Sequence, residues 1–226
     1  MSIVEVYRTH YSEPREAILE TFSLIDKSIN ENKPFCFFLN LPTGYGKSTM
    51  SIISGQYVSK HYNPLFNRVI HIVPTRTLTG EILTKAKELG IKAYAQQMWV
   101  DLSVKSPFFL QKYVVTTYDS YMLNYYKACI AESRAEYGHF EIPRYSILSG
   151  LSFFDEYHLF SPGDSVERDP LFTSRAWTAL TRTAKQLLKV GVPLIFSTAT
   201  PIPLVIETLL KIVRDYGKNY NVKVIG

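Results

Sequence analysis

Apolar residues in this chain gather into short dense runs, separated by stretches where they recur every three or four positions. The runs are Phe35–Asn40, Val69–Val73, Tyr113–Thr116, Leu151–Phe154, Pro193–Phe196 and Val222–Ile225, with a shorter piece at Ile91–Ala95. Continuous Val, Ile, Leu and Phe with little polar alternation suits strands covered on both faces. Helical spacing between the runs predicts helices over Glu13–Asn30, Lys47–His61, Thr77–Leu89, Ser120–Ala131, Thr173–Val190 and Pro203–Tyr216. Regular alternation of strand and helix implies right-handed crossovers. The expectation is an α/β fold with a mostly parallel central sheet and helices on both faces. Glu132–Ser149 carries Gly, His, Pro and charges and reads as a long surface insertion, and Ser161–Pro170 reads as a loop. With no repeat and no low-complexity tract, residues 1–226 read as one lobe, with 1–33 a helical segment ahead of the first strand.

Composition narrows this picture only a little. A chain of 226 residues buries a core without covalent staples. Its net charge of +5 leans toward a polyanionic partner, a weak signal alone. Cys36 and Cys129 sit in apolar segments with no pairing pattern, so they read as buried thiols of a reducing, cytoplasmic compartment. The first ten residues lack the apolar centre of a secretory signal, and no run approaches the roughly 20 apolar residues of a membrane span, so no membrane partner is expected.

Candidate chemistry sits where the runs end. Leu41-Pro42-Thr43-Gly44-Tyr45-Gly46-Lys47-Ser48 follows the first run and opens a helix. Strand, glycine turn, Gly-Lys-Ser and helix form the setting of a phosphate-binding P-loop, although Leu41 stands where the consensus has Gly. Gly44 and Gly46 let backbone N–H groups wrap phosphate oxygens, and the start of the helix adds its positive dipole end. Pro42 through Thr49 are therefore the candidate nucleotide-binding residues, with Lys47 reaching the β- and γ-phosphates and Ser48 ligating Mg²⁺. Leu151-Ser152-Phe153-Phe154 leads into Asp155-Glu156-Tyr157-His158. A strand ending in two acids supplies what Mg·ATP chemistry needs further: Asp155 to hold Mg²⁺, and Glu156 to orient and deprotonate the attacking water.

Three further segments end strands on the side where such sheets bind ligands. Val73-Pro74-Thr75-Arg76-Thr77-Leu78 follows the second run, Thr116-Thr117-Tyr118-Asp119-Ser120 the third main one, and Ser197-Thr198-Ala199-Thr200 the fifth. Thr75, Arg76, Thr116 and Thr117 are candidates for phosphates of a nucleic-acid strand; ordinary helix capping by Thr and a solvated Arg is the other reading. Thr198 and Thr200 would bond to the acidic motif and relay the nucleotide state, with His158 facing them or a partner lobe; a plain strand-to-helix turn and a core or surface histidine are the alternatives.

In this order the segments resemble motifs I, Ia, Ib, II and III of superfamily 2 helicases and translocases, in their first RecA-like lobe. Leu41–Ser48 stands as motif I, Pro74–Leu78 as Ia, Thr116–Ser120 as Ib, Asp155–His158 as II and Thr198–Thr200 as III. The Thr-Thr-Tyr-Asp-Ser, Asp-Glu-Tyr-His and Ser-Thr-Ala-Thr-Pro runs are similar, more narrowly, to the helicase of type I CRISPR interference. The resemblance implies a RecA-like P-loop lobe with ATP and Mg²⁺ as cofactors and single-stranded DNA as partner. It also implies a second helicase lobe carrying the arginine finger, a separate His-Asp nuclease and the CRISPR surveillance complex. The pattern departs from the family in two places: residues 1–40 hold no Gln to read adenine, leaving Tyr11, Arg15 or Glu16, and the chain runs only to Gly226 after Thr200. The expectation is thus a single lobe that turns ATP over poorly alone. An RNA helicase of the DEAD/DEAH kind and a stand-alone P-loop ATP-binding switch are the other readings of these residues.

Overall fold

The computed structural model describes residues 1–97, 101–127, 141–161 and 170–226. Seven strands form one sheet: β1 (Phe35–Asn40), β2 (Val69–Val73), β3 (Tyr94–Gln96), β4 (Tyr113–Thr117), β5 (Leu151–Asp155), β6 (Leu194–Thr198) and β7 (Asn221–Ile225). Their order across the sheet is β3-β4-β2-β5-β6-β1-β7, and every pairing is parallel. The helices are α1 (Ile3–His10), α2 (Glu16–Asn30), α3 (Lys47–Lys60), α4 (Arg76–Glu88), α5 (Tyr118–Tyr125), α6 (Glu141–Leu148), α7 (Pro170–Lys189) and α8 (Pro203–Tyr216).

Successive strand residues point to opposite faces and build two cores. Phe35, Phe37 and Leu39 of β1 join Val69, Val115 and Phe153 under α1 to α4. Cys36 and Phe38 of the same strand join Ile70, Val114, Phe154 and Phe196 under α5 to α8. Burial pushes the Cys36 thiol pKa up, as expected of an inert core sulfur. On that second face Phe154 and Phe38 each stack on Phe196, at 5.2 and 5.3 Å, so three central strands are tied by one aromatic row. No helix among the described residues is long and apolar enough to cross a membrane.

The N-terminal segment differs from the expectation of one helix over Glu13–Asn30. It holds two, with Pro14 in the break between them. Ser2 and Glu5 form a reciprocal capping box that starts α1. Asp26 of α2 accepts from Ile3 N at 2.9 Å and Val4 N at 3.3 Å and seats α1 against α2. Burial raises the Asp26 pKa, and the two backbone N–H groups pull it back in part. The surface insertion also contains a helix, α6, whose Ile147 is fully buried. Cys129, the end of the expected Ser120–Ala131 helix, residues 132–140 of the insertion and 162–169 of the expected loop lie outside the described residues.

Candidate functional site

β1 ends at Asn40 and the chain turns through Gly44 and Gly46 into α3. Both glycines are left-handed, at φ 76 and 101, which a side chain would resist. Gly46 has a second constraint, because a Cβ there would lie 2.8 Å from the Ile18 methyl of α2. As the N-cap of α3 it offers no side-chain acceptor, and the first turn carries no acid. The leading N–H groups of α3 are therefore not taken up by a cap, which is the arrangement that receives anions. From α2's N-cap, Arg15 donates to the Gly44 carbonyl and lies 5.1 Å over the Tyr45 ring, bracing the loop. Pro42, Thr43 and Gly44 are exposed, Tyr45 and Ser48 half-buried, and Thr49 is buried.

Lys47 is buried, and its Nζ donates to the Leu41 carbonyl at 2.7 Å and the Pro42 carbonyl at 3.4 Å. It also lies 3.6 Å from Glu156 Oε1, so the loop and the acidic motif face each other across a single ion pair. Glu156 takes a left-handed conformation at φ 47, uncommon for a residue with a side chain, directly after β5. Its other oxygen accepts from Thr198 Oγ1 at 3.3 Å and from Ala199 N at 3.2 Å. His158 lies between the two motifs: Nδ1 is 2.7 Å from Thr198 Oγ1 and 3.4 Å from Glu156, and Nε2 is 2.9 Å from Thr200 Oγ1. Glu156, His158, Thr198 and Thr200 thus form one bonded cluster, reached from Lys47.

Asp155 is held by a second network. Ser197 Oγ donates to it at 2.9 Å, and His71 Nε2 approaches the other oxygen at 3.4 Å. Burial is the largest influence on Asp155 and pushes its pKa up. The His71 hydrogen bond and charge, the Ser197 bond and the Lys47 charge together outweigh it and hold the carboxyl below its ordinary value. His71, fully buried on β2, continues through Nδ1 to Ser51 Oγ at 2.6 Å and Tyr113 OH at 3.2 Å. Ser51 in turn donates to the Ser48 carbonyl at 2.9 Å, so the two residues expected to ligate a metal, Ser48 and Asp155, are connected through His71. His71 belongs to none of the motifs read from the sequence. The available signal was one polar residue in the middle of Val-Ile-His-Ile-Val, because a polar group buried in such a strand needs partners.

The expected nucleic-acid residues are placed less uniformly. Thr75 and Thr117 are N-caps of α4 and α5, accepting from Leu78 N and Ser120 N, each at 3.4 Å. Arg76 is exposed at the first turn of α4. Thr116 corrects the expectation. It is fully buried, and its hydroxyl donates to the Gln96 carbonyl of β3 at 2.6 Å. Strand residues alternate faces, so Thr116 shares the buried face of Val114 under α5 to α8, with its hydroxyl already engaged.

A hydroxyl and a carboxylate held ionised are hard oxygen donors suited to Mg²⁺, and an uncapped helix start with a facing ammonium suits a triphosphate. Ser48, Asp155, Lys47 and the first N–H groups of α3 fit Mg·ATP on that chemistry.

The family described as type III restriction enzyme, res subunit, matches residues 9–202. No curated protein sequence matches the chain. Among solved structures, the chain is similar to T. fusca Cas3 with ATP, at 15% identity and TM-score 0.67, over 94% of this chain and 23% of that one. It is similar to the Mycobacterium smegmatis helicase Lhr bound to ssDNA and AMP-PNP, at 14% identity and TM-score 0.59, over 100% and 27%. A DEAD box protein from Methanococcus jannaschii aligns at 14% identity and TM-score 0.57, over 100% and 53%. The fold is that of the first RecA-like lobe of superfamily 2 helicases, and the chain spans about a quarter of the length of the Cas3 structures it matches.

Proposed function

The chain belongs to the family of the type III restriction enzyme res subunit, and from that premise we propose that it is the ATP-binding lobe of an ATP-dependent single-stranded DNA translocase acting in type I CRISPR interference. The observation that carries the reading is the Lys47–Glu156 pair joined to Thr198, Ala199 and His158. It ties the phosphate loop to the acidic motif and the acidic motif to the strand end that would report nucleotide state.

Pro42 to Thr49 would enclose the phosphates, with Lys47 leaving the Leu41 and Pro42 carbonyls for the β- and γ-oxygens. Ser48 and Asp155 would hold Mg²⁺, which neutralises charge on the β- and γ-phosphates when bound. Glu156, released from Thr198 and Ala199, would orient water and accept its proton. That release frees Thr198 and His158, which gives the site a way to signal. Arg76, with the helix starts at Thr75 and Thr117, would hold the strand by its phosphates. A second helicase lobe would supply the cation for the developing γ-phosphoryl charge, and a His-Asp nuclease and the CRISPR surveillance complex would be the wider partners. The narrower assignment is supported by the Asp-Glu-Tyr-His and Ser-Thr-Ala-Thr runs and by a fold shared with T. fusca Cas3.

ATP turnover by the intact protein, measured against single strands of DNA and RNA of increasing length, tests this. Stimulation that rises with DNA length and is absent with RNA supports a DNA translocase. Equal or stronger stimulation by RNA replaces it with an RNA helicase, and none with either leaves an ATP-binding switch.

A further inference from the structure

The flank formed by α7, α8 and the C-terminal end of α5 lies outside the site above and carries a row of positive charge. Arg175, Arg182, Lys185 and Lys189 of α7 line a groove of about 600 Å³ together with Tyr126 and Tyr216. At 3.6 residues per turn the four cations fall within about 80° around the helix axis. Their opposite face is Ala176, Leu180, Ala184, Leu187 and Leu188, all buried in the core. From Arg175 to Lys189 the stripe runs about 21 Å at 1.5 Å per residue, long enough for several consecutive phosphates. Among the described residues no carboxylate lines the groove. Like charges on one helix face repel each other, so the arrangement is costly unless an anion spends time there.

The tyrosines indicate which anion. Tyr216 is held by Lys185 and Lys189, whose ammonium groups lie 5.6 and 5.1 Å from its ring centre, and 37% of it stays exposed. Tyr126 is 46% exposed, its hydroxyl 3.0 Å from Thr183 Oγ1. Half-exposed aromatic faces set between cations suit a single strand, whose bases stack while its phosphates pair with Lys and Arg. Because α7 follows β5, its N-terminal end lies at the sheet edge that carries Asp155 and Glu156, and its C-terminal end at the opposite edge. The stripe therefore leads away from the site along the flank opposite α4, which packs in the other core with Ile82 and Ala86.

We propose that this groove is a second binding surface for single-stranded DNA, separate from Arg76 and the α4 and α5 helix starts. It rests on the strand-binding reading above and extends it, giving the lobe a path for the strand beyond its catalytic edge. The test is anisotropy of a labelled 30-nucleotide DNA strand on the full chain over a salt series. Arg182→Ala/Lys189→Ala should lower the log–log salt slope by about 1.4, two phosphates at about 0.7 each, and weaken binding about tenfold at 0.1 M salt. Arg182→Lys/Lys189→Arg should restore both, and all variants should melt and bind ADP like the wild type. A strand carrying 5-iodouracil should crosslink to Tyr126 or Tyr216. An unchanged slope in the double alanine variant overturns the groove while leaving the strand-binding reading intact. A wild type that binds no strand at low salt overturns both. Loss of binding to polyglutamate, with DNA binding retained, overturns the proposal in favour of an acidic protein partner.

Discussion

Helices α3, α4 and α5 all begin at the C-terminal edge of the sheet, and they begin in two ways. Thr75 and Thr117 cap α4 and α5 with their hydroxyls, whereas α3 starts at Gly46, which has no side chain to give. The uncapped start faces Lys47 and Glu156; the capped starts are the ones whose threonines were expected to hold a nucleic-acid strand. A capping hydroxyl already has a partner, so a phosphate arriving at α4 or α5 competes with the helix itself. One arriving at α3 meets N–H groups that no side chain has claimed. The proposed nucleotide half of the edge is thus specified by side chains in buried networks. The proposed strand-binding half would rely on backbone, dipole and Arg76.

The largest expected effect lies in the nucleotide half. Glu156→Gln keeps the shape of the side chain but removes the base, so single-turnover ATP hydrolysis should fall on the order of 10² to 10⁴-fold. Nucleotide binding should remain within a few-fold, and a variant that keeps wild-type hydrolysis removes Glu156 from the chemistry.

Next is the network behind Asp155. His71→Leu leaves a buried carboxylate without one of its partners and should cost about 3 kcal/mol in urea unfolding. The Asp155 carboxyl lies below its ordinary value when folded, so it contributes stability above the unfolded carboxylate pKa that is lost as pH falls through the folded one. Without His71 the folded value rises, and acid unfolding should begin at higher pH. Matching acid unfolding curves for the two proteins would mean His71 does not hold Asp155.

Smaller effects separate capping from strand binding. Thr117→Ala should cost about 1 kcal/mol of stability as a lost cap and leave the salt slope of strand binding unchanged. Arg76→Ala should instead make that slope smaller by about 0.7. If Thr117→Ala flattens the slope, its hydroxyl binds phosphate and the contrast between the two halves fails.

Much of the fold was legible because each central strand is covered on both faces and reads as an unbroken apolar run, and α8 begins and ends where its spacing placed it. Helix α1 escaped because it is only eight residues long and its period rests on three positions, Ile3, Val6 and Tyr7, although Ser2 and Glu5 had the spacing of a capping box. Helix α6 was hidden by Pro143 and the charges around it, which resemble loop composition. At the site, the Gly-Lys-Ser turn and the paired acids were readable from local spacing. Thr116 was misassigned because motif position ignores which face a strand residue points to. His71 was passed over because its partners Ser51, Tyr113 and Asp155 come from three other elements and meet only in the folded sheet.

The uncapped start of α3, with Lys47, is the proposed nucleotide phosphate site. Titration calorimetry of Mg·ADP into the wild type and Lys47→Ala tests it directly. Mg·ADP should bind the wild type measurably and lose at least about tenfold, or 1.4 kcal/mol, in the variant. Equal affinity in the two proteins would contradict it.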